Sequence, residues 1–208
     1  LTAIKVLGEL AKAKAAGPSP SFTKFHLLKA FRMVGEEGPI GRVKLSRRLL
    51  LGEGAARTLV DHLRLGGFIK IGKAGCMLTG KGLRVLRDLN SKLQGKGGIP
   101  RSSLSIGAFN YGFLVKGAGH KIRYGIEQRD AAVRAGARGA ITIKLSRGKL
   151  YVPPPSKEMP KDWGEFSKRI MQMFNPSEND VIIISGADSE EKAEQGAFSA
   201  ALTLLEEK

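Results

Sequence analysis

Four polar side chains in one short stretch carry the first chemical signal of the chain. In "GAARTLVDHLRL", residues 54 to 65, Ala56, Val60 and Leu63 recur at three- and four-residue steps, while Arg57, Thr58, Asp61 and His62 fall off that stripe. Such spacing marks the inner face of a helix and leaves the other side chains turned away from it. A guanidinium, a hydroxyl, a carboxylate and an imidazole in this order form a donor and acceptor set suited to flat polar edges and anionic oxygens. Arg57 suits a bidentate contact best, because its donors form a planar fork.

Further cations stand on either side. In "RVKLSRRLL", Leu45 and Leu49 lie four apart and mark an inner face, with Arg42, Lys44, Arg47 and Arg48 turned outward. Lys70 and Lys73 fall in the pattern "FIKI", "GKAG", "CML", two short β runs joined by a glycine-flanked turn. The formal charge is +16, and residues 1 to 100 hold 19 Lys or Arg against 6 Asp or Glu, whereas residues 101 to 208 hold 16 against 13. The excess belongs to the first half, which argues for an anionic partner there, with nucleic acid the leading candidate. A membrane surface calls for a basic helix with a large apolar face. The longest apolar runs, such as Val181 to Ile184, are far short of the roughly 18 residues that span a bilayer, so no membrane association is expected.

The elements that position these residues follow from periodicity. Ile4, Leu7, Leu10 and Ala11 mark an amphipathic N-terminal extension helix, and "GPSPS" breaks the chain after it. Phe22, Phe25, Leu28, Phe31 and Val34 predict a helix with an aromatic-rich inner face, ending at "GEEG". A short helix over 43 to 50, a turn at "LGEG", a helix over 54 to 65 and the hairpin come next. Thr79 is placed to cap a last helix with a stripe of Leu83, Leu86, Leu89 and Leu93.

This order of helix, helix, turn, helix, hairpin, helix resembles the winged helix-turn-helix domain of bacterial and archaeal regulator families. The residues that carry the likeness are Leu45, Ser46, Leu49 and Leu51, then Ala56, Val60 and Leu63, then Gly67, Phe68 and Ile69, then Leu78 and Thr79, over residues 21 to 93. The chain departs from the pattern in "LLLGEGAA", where the turn carries two glycines and the next helix opens with small residues. The whole chain is further similar to archaeal proteins that join such a domain to a C-terminal α/β domain of unassigned function. The resemblance implies a double-stranded DNA partner. The helix over 54 to 65 would lie in a major groove, with Arg57, Thr58, Asp61 and His62 at base edges or adjacent phosphates. Lys44, Arg47 and Arg48 would lie over one backbone, and Lys70 and Lys73 in the wing over another.

The fold class expected is α+β: a winged helix-turn-helix domain over 1–94, a glycine-rich linker over 95–100, and a mixed α/β domain over 101–208. In the second part "SLSIGAFNYGFLV" and "KIRYG" read as strands, "EQRDAAVRAGA" as a helix, and "AITIKLSRGKLYV" as a hairpin. "DWGEFSKRIMQMF" reads as a helix, "DVIIISG" as a buried strand and the C-terminal segment as a long helix. "YGIEQRD" and "ISGADSEE" repeat one plan, a strand ending in glycine and then a helix start whose free amides favour a small anionic or polar effector. With the two strands adjacent, Glu127, Gln128, Arg129, Asp130, Ser185, Asp188 and Ser189 would form its site.

No catalytic residue set emerges. His26, His62 and His120 are scattered, Cys76 stands alone, and "KGAGHK" lacks the full glycine pattern of a dinucleotide loop. No metal site or cofactor is expected, and a lone cysteine fits a reducing, cytoplasmic setting. The reading is a DNA-binding transcriptional regulator, acting as a homodimer because one winged helix contacts few bases, with a C-terminal domain for effector sensing or dimerisation. Two alternatives stay open: an enzyme with its active site in the C-terminal domain and a winged-helix recruitment module, and a sequence-nonspecific architectural DNA-binding protein.

Overall fold

The structure, a computed structural model, describes residues 21–154 and 161–205. The extension helix expected near the N-terminus lies outside them. The chain divides into two compact units, Leu1–Asn90 and Ser91–Lys208.

The first unit runs α1 (Lys24–Glu37), α2 (Arg42–Leu49), α3 (Glu53–Leu65), β1 (Ile69–Gly72), β2 (Gly75–Leu78) and α4 (Gly80–Lys92). At the start of α1 the backbone N–H of Thr23 donates to Nδ1 of His26 at 3.1 Å, which gives the buried His26 a capping role. Leu27, Ala30 and Phe31 of α1 are buried, as are Leu45, Leu59 and Leu63 of the next two helices. Phe31 meets Phe68 edge to face at 6.0 Å, an arrangement that favours the aromatic quadrupole.

The turn between α2 and α3 is held from inside. Buried Ser46 donates its Oγ to the Leu51 carbonyl at 2.6 Å, and the Leu51 N–H donates to the Ser46 carbonyl at 3.0 Å. Leu50 takes the left-handed conformation at φ 52° with its side chain exposed. A leucine bears this strain, about 1–2 kcal/mol, although glycine stands two residues further on; Gly52 is the extended N-cap of α3.

The β1–β2 hairpin is antiparallel from Ile69↔Leu78 to Gly72↔Gly75, and Ile40 bridges to Cys76 beside it. Cys76 is buried, and burial raises its thiol above the ordinary range. Thr79 caps α4 as expected: its Oγ1 accepts from the Gly82 N–H at 3.0 Å and donates to the Gly67 carbonyl at 2.7 Å. Glycine is required at 82, since a Cβ there would stand 2.1 Å from the Phe68 carbonyl oxygen. Leu86 and Leu89 face the core, but Leu83, expected in the same stripe, is exposed.

The second unit runs β3 (Leu93–Lys96), β4 (Phe109–Val115), α5 (Ile126–Arg134), β5 (Gly139–Ser146), β6 (Lys149–Tyr151), α6 (Trp163–Phe174), β7 (Val181–Ala187) and α7 (Glu190–Leu205). Its five strands form one sheet in the order β3-β4-β7-β5-β6, antiparallel at every pairing. Period-two alternation sends Leu114, Ile143, Leu145, Ile182 and Ile184 into a core with Phe166, Ile170 and Phe174 of α6. α7 covers the opposite face, with Phe113 of β4 and Phe198 at 6.0 Å, and α5 packs beside it over β5.

Two sequence expectations change here. Gly95 and Lys96, read as linker, pair with Phe113 and Gly112 in the sheet, and Leu93, read as helical, is a strand residue opposite Val115. The glycine is structural, because a Cβ at 95 would meet the Phe113 ring at 2.6 Å. "KIRYG" is no strand: a short 3-10 turn, Gly119–Lys121, leads irregularly into α5. Lys121 holds this stretch by donating its Nζ to the Leu204 carbonyl of α7 at 2.7 Å.

Candidate nucleic-acid interface

The two faces of α3 divide cleanly. Ala56, Leu59, Val60, His62 and Leu63 are buried, whereas Gly54, Arg57, Thr58 and Arg64 are exposed and Asp61 half-buried. The outward residues follow the three- and four-residue steps of one helical face. Thr58 donates its Oγ1 to the Gly54 carbonyl at 3.1 Å, and Asp61 Oδ1 accepts from Arg64 Nε at 3.3 Å.

His62 does not share that face. It is buried edge to face against Phe22 at 5.5 Å, so its assignment to a base edge is corrected. The cause is Leu59, which lies inside and widens the buried arc toward position 62. Leu59 and Leu63 stand three before and one after this histidine, a pattern already present in the sequence.

The cations sort into two groups. Lys44 Nζ donates to Glu37 Oε2 at 2.9 Å, and Arg48 Nη1 donates to Glu37 Oε1. These two bonds, Lys44 first and Arg48 second, hold the Glu37 carboxyl below the ordinary carboxylate range. Among the described residues Arg42, Arg47, Arg57, Lys70 and Lys73 are exposed and make no ion pair. Arg42 from α2 and Arg57 from α3 line one cleft of about 60 Å³ together with Val43, Ser46 and Glu53. The spacing in the sequence turns Arg42 outward without giving it a contact; its position at the first residue of α2 places it in this cleft.

The effector set of the second unit does not assemble. Gln128 is buried and donates its Nε2 to Thr203 Oγ1 at 2.7 Å, and buried Ser185 donates to the Gly139 carbonyl at 3.0 Å. Arg129 and Asp130 pair with each other at 2.9 Å, Asp188 pairs with Arg138 at 2.8 Å, and Ser189 Oγ accepts from the Lys192 N–H. Glu127 is an exposed first-turn residue of α5. The start of α5 lies by Thr203, near the end of α7, while Ala137 beyond α5 packs on Gly196. The helices are therefore antiparallel, and their N-termini point to opposite ends of the sheet. An open groove of about 500 Å³ lies elsewhere in this unit, and its titratable side chains are Lys149 and Lys168.

The class defined by this architecture is a helix-turn-helix unit followed by a sheet-and-helix unit. Residues 23–93 match the family model described as the CggR N-terminal DNA binding domain. Residues 106–204 match a domain of unknown function, DUF4443. A solved structure, hypothetical protein PH0730 from Pyrococcus horikoshii OT3, is similar at 26% identity, with a TM-score of 0.68 over 88% of this chain and 93% of its own. No curated protein matches the chain. No helix of the described residues is long and apolar enough to cross a membrane.

Proposed function

We propose that the protein is a transcription regulator whose first unit binds double-stranded DNA, with α3 in the major groove and the β1–β2 hairpin as a wing. The observation that carries this reading is the cleft that Arg42 and Arg57, exposed and neither in an ion pair, line with Glu53, beside the exposed stripe of α3. The helix-turn-helix likeness supports it, since the matching model describes a DNA-binding domain. In this arrangement Arg57 reads guanine through its bidentate fork, and Thr58 and Asp61 lie along the same edge. Arg42 and Arg47 neutralise phosphates on one side, Lys70 and Lys73 on the other, and these contacts set the register. Lys44 and Arg48 join them to the extent that Glu37 releases them.

The second unit serves to join two copies, so that two α3 helices address two half-sites. Its buried polar side chains Gln128 and Ser185 are satisfied by its own fold, which leaves its outer surface as the place for such a role.

Fluorescence anisotropy of the full chain with DNA fragments selected from genomic libraries, across a salt series, tests the reading. Four cations on phosphate predict a log–log salt slope of roughly −3 to −4, with selected fragments bound more tightly than random ones. Absence of binding at low salt, or a salt-independent signal, removes the proposal.

A further inference from the structure

Helix α5 is built against the usual pattern of a surface helix. Its inner face holds small or polar residues, with Gln128, Ala131 and Ala132 buried. Its outer face carries large apolar side chains among the charged Glu127, Arg129 and Arg134: Ile126 is 52% exposed, Val133 49%, and Tyr124 just before the helix 63%. β-branched residues form helices less well than alanine or lysine, and at exposed positions packing within the chain returns nothing for that cost. Neighbouring helices differ. The exposed side chains of α6 include Glu165, Lys168, Arg169 and Gln172, and those of α7 include Glu190 and Lys192. Among the described residues of this unit, Phe109 is the one other large hydrophobic residue so exposed.

The arrangement within the face is ordered. Ile126 and Val133 are seven residues apart and so fall within about 20° of one another around the helix. Arg129 and Asp130 stand midway, one on either side of that line, since consecutive helical residues are about 100° apart. They form an exposed pair at 2.9 Å, which contributes little in water and is readily exchanged.

We propose that the outer face of α5 is a self-association surface that receives a second copy of this chain, α5 against α5, about a two-fold axis parallel to the helices. Ile126 meets Ile126 of the second copy and Val133 meets Val133, while each Arg129 faces Asp130 of the other copy. Charge decides the direction. An antiparallel pairing sets Arg129 against Arg129 and Asp130 against Asp130, and like charges at an interface oppose association. The helix is about 13 Å long, so the pairing is modest and concentration-dependent. The surface deepens the dimer of the reading above and rests on that reading for its purpose, the pairing of two DNA-binding units.

Sedimentation equilibrium of the full chain without DNA, over a wide concentration range, reads the association directly. Wild-type protein dimerises, and V133E raises the dissociation constant at least about tenfold, because an unpaired carboxylate enters the contact. R129D weakens the dimer likewise, and the charge-swapped R129D/D130R restores it to within about threefold of wild type. V133C gives a disulfide-linked dimer on oxidation, as a parallel pairing requires. Both substituted faces are exposed, and a melting curve for each variant verifies that it folds. A dimer indifferent to V133E, or a charge swap without rescue, removes this surface while leaving a dimeric regulator in place. A monomeric wild type removes the surface and the dimer together, and DNA binding is judged separately by anisotropy.

Discussion

The two units differ in what their polar groups do inside. In the second, the buried polar groups are consumed by the fold, while Arg123, Arg134, Lys149 and Lys168 stand exposed without an ion pair. Asp180, 3% exposed, accepts from the Gly117 and Ser177 N–H groups at 2.8 and 2.7 Å and from Lys116 Nζ at 2.9 Å; Gln128 and Ser185 are likewise satisfied inside. In the first, cations are displayed: Arg42, Arg47, Arg57, Lys70 and Lys73 reach solvent without an ion pair. A buried group whose bonds are all made fixes geometry, whereas an exposed cation without a partner is available to an external anion. The helix-turn-helix match and the cleft of Arg42 and Arg57 favour the first unit as the candidate site.

The sharpest break in this comparison is expected at Asp180. Asp180→Ala removes the acceptor that ties the loop after β4 to the segment before β7, and leaves two amides and an ammonium group without it. Leaving two amides without their charged acceptor costs about 3 kcal/mol, read as a lower urea midpoint at unchanged slope. DNA affinity at temperatures where the variant is folded stays that of wild type.

Arg42→Ala and Arg57→Ala act in the reverse sense. Both side chains are exposed and unpaired, so the urea midpoint is expected to move little, while DNA binding weakens. For Arg57 the loss is about 1–3 kcal/mol and falls mainly on one base pair of the selected site. For Arg42 the loss is similar across sequences, and the salt slope becomes shallower by about one. Equal discrimination by wild type and R57A among single-base variants of the site would remove the base-reading role.

A smaller effect separates His62 from its neighbours on α3. Its ring packs against Phe22, and such an aromatic contact is worth about 0.5–1.5 kcal/mol beyond area burial. His62→Ala therefore lowers stability, with base preference unchanged. A changed sequence preference in a fully folded H62A protein would return this residue to the interface.

Much of this division was legible in the sequence. The order of helices, the hairpin, the Thr79 cap and the charge excess of the first half follow from spacing and composition. His62 was not legible because the stripe of Ala56, Val60 and Leu63 leaves out Leu59, whose burial extends the inner arc toward position 62. Leu50 in the left-handed conformation escaped because two glycines nearby offered the more usual solution. β3 was hidden by its glycines, which read as a linker; Gly95 is there because the Phe113 ring leaves no room for a side chain. The effector set failed for a non-local reason. Local sequence gives two glycine-led helix starts, but whether they meet depends on helix direction, which contacts between α5 and α7 set the other way. The Glu37 pairings with Lys44 and Arg48 span seven and eleven residues and two helices, beyond any periodicity rule.

Those pairings carry the finest test of the comparison, because there one carboxylate of the first unit satisfies two cations at once, as the fold of the second satisfies its buried groups. Glu37 engages two cations of α2 that would otherwise face phosphate, and their hydrogen bonds favour its ionised form. A phosphate approaching Lys44 or Arg48 must compete with this carboxylate and meets its charge as well. Glu37→Gln keeps the shape and removes the charge. Affinity is then expected to rise a few-fold on all DNA sequences alike, and the salt slope to steepen by about one to two as Lys44 and Arg48 join the contact. The group is exposed, so the urea midpoint is expected to change little. Weaker binding by E37Q would show instead that the carboxylate aims the two cations at the backbone, and that the satisfied and displayed charges of the first unit act as one set.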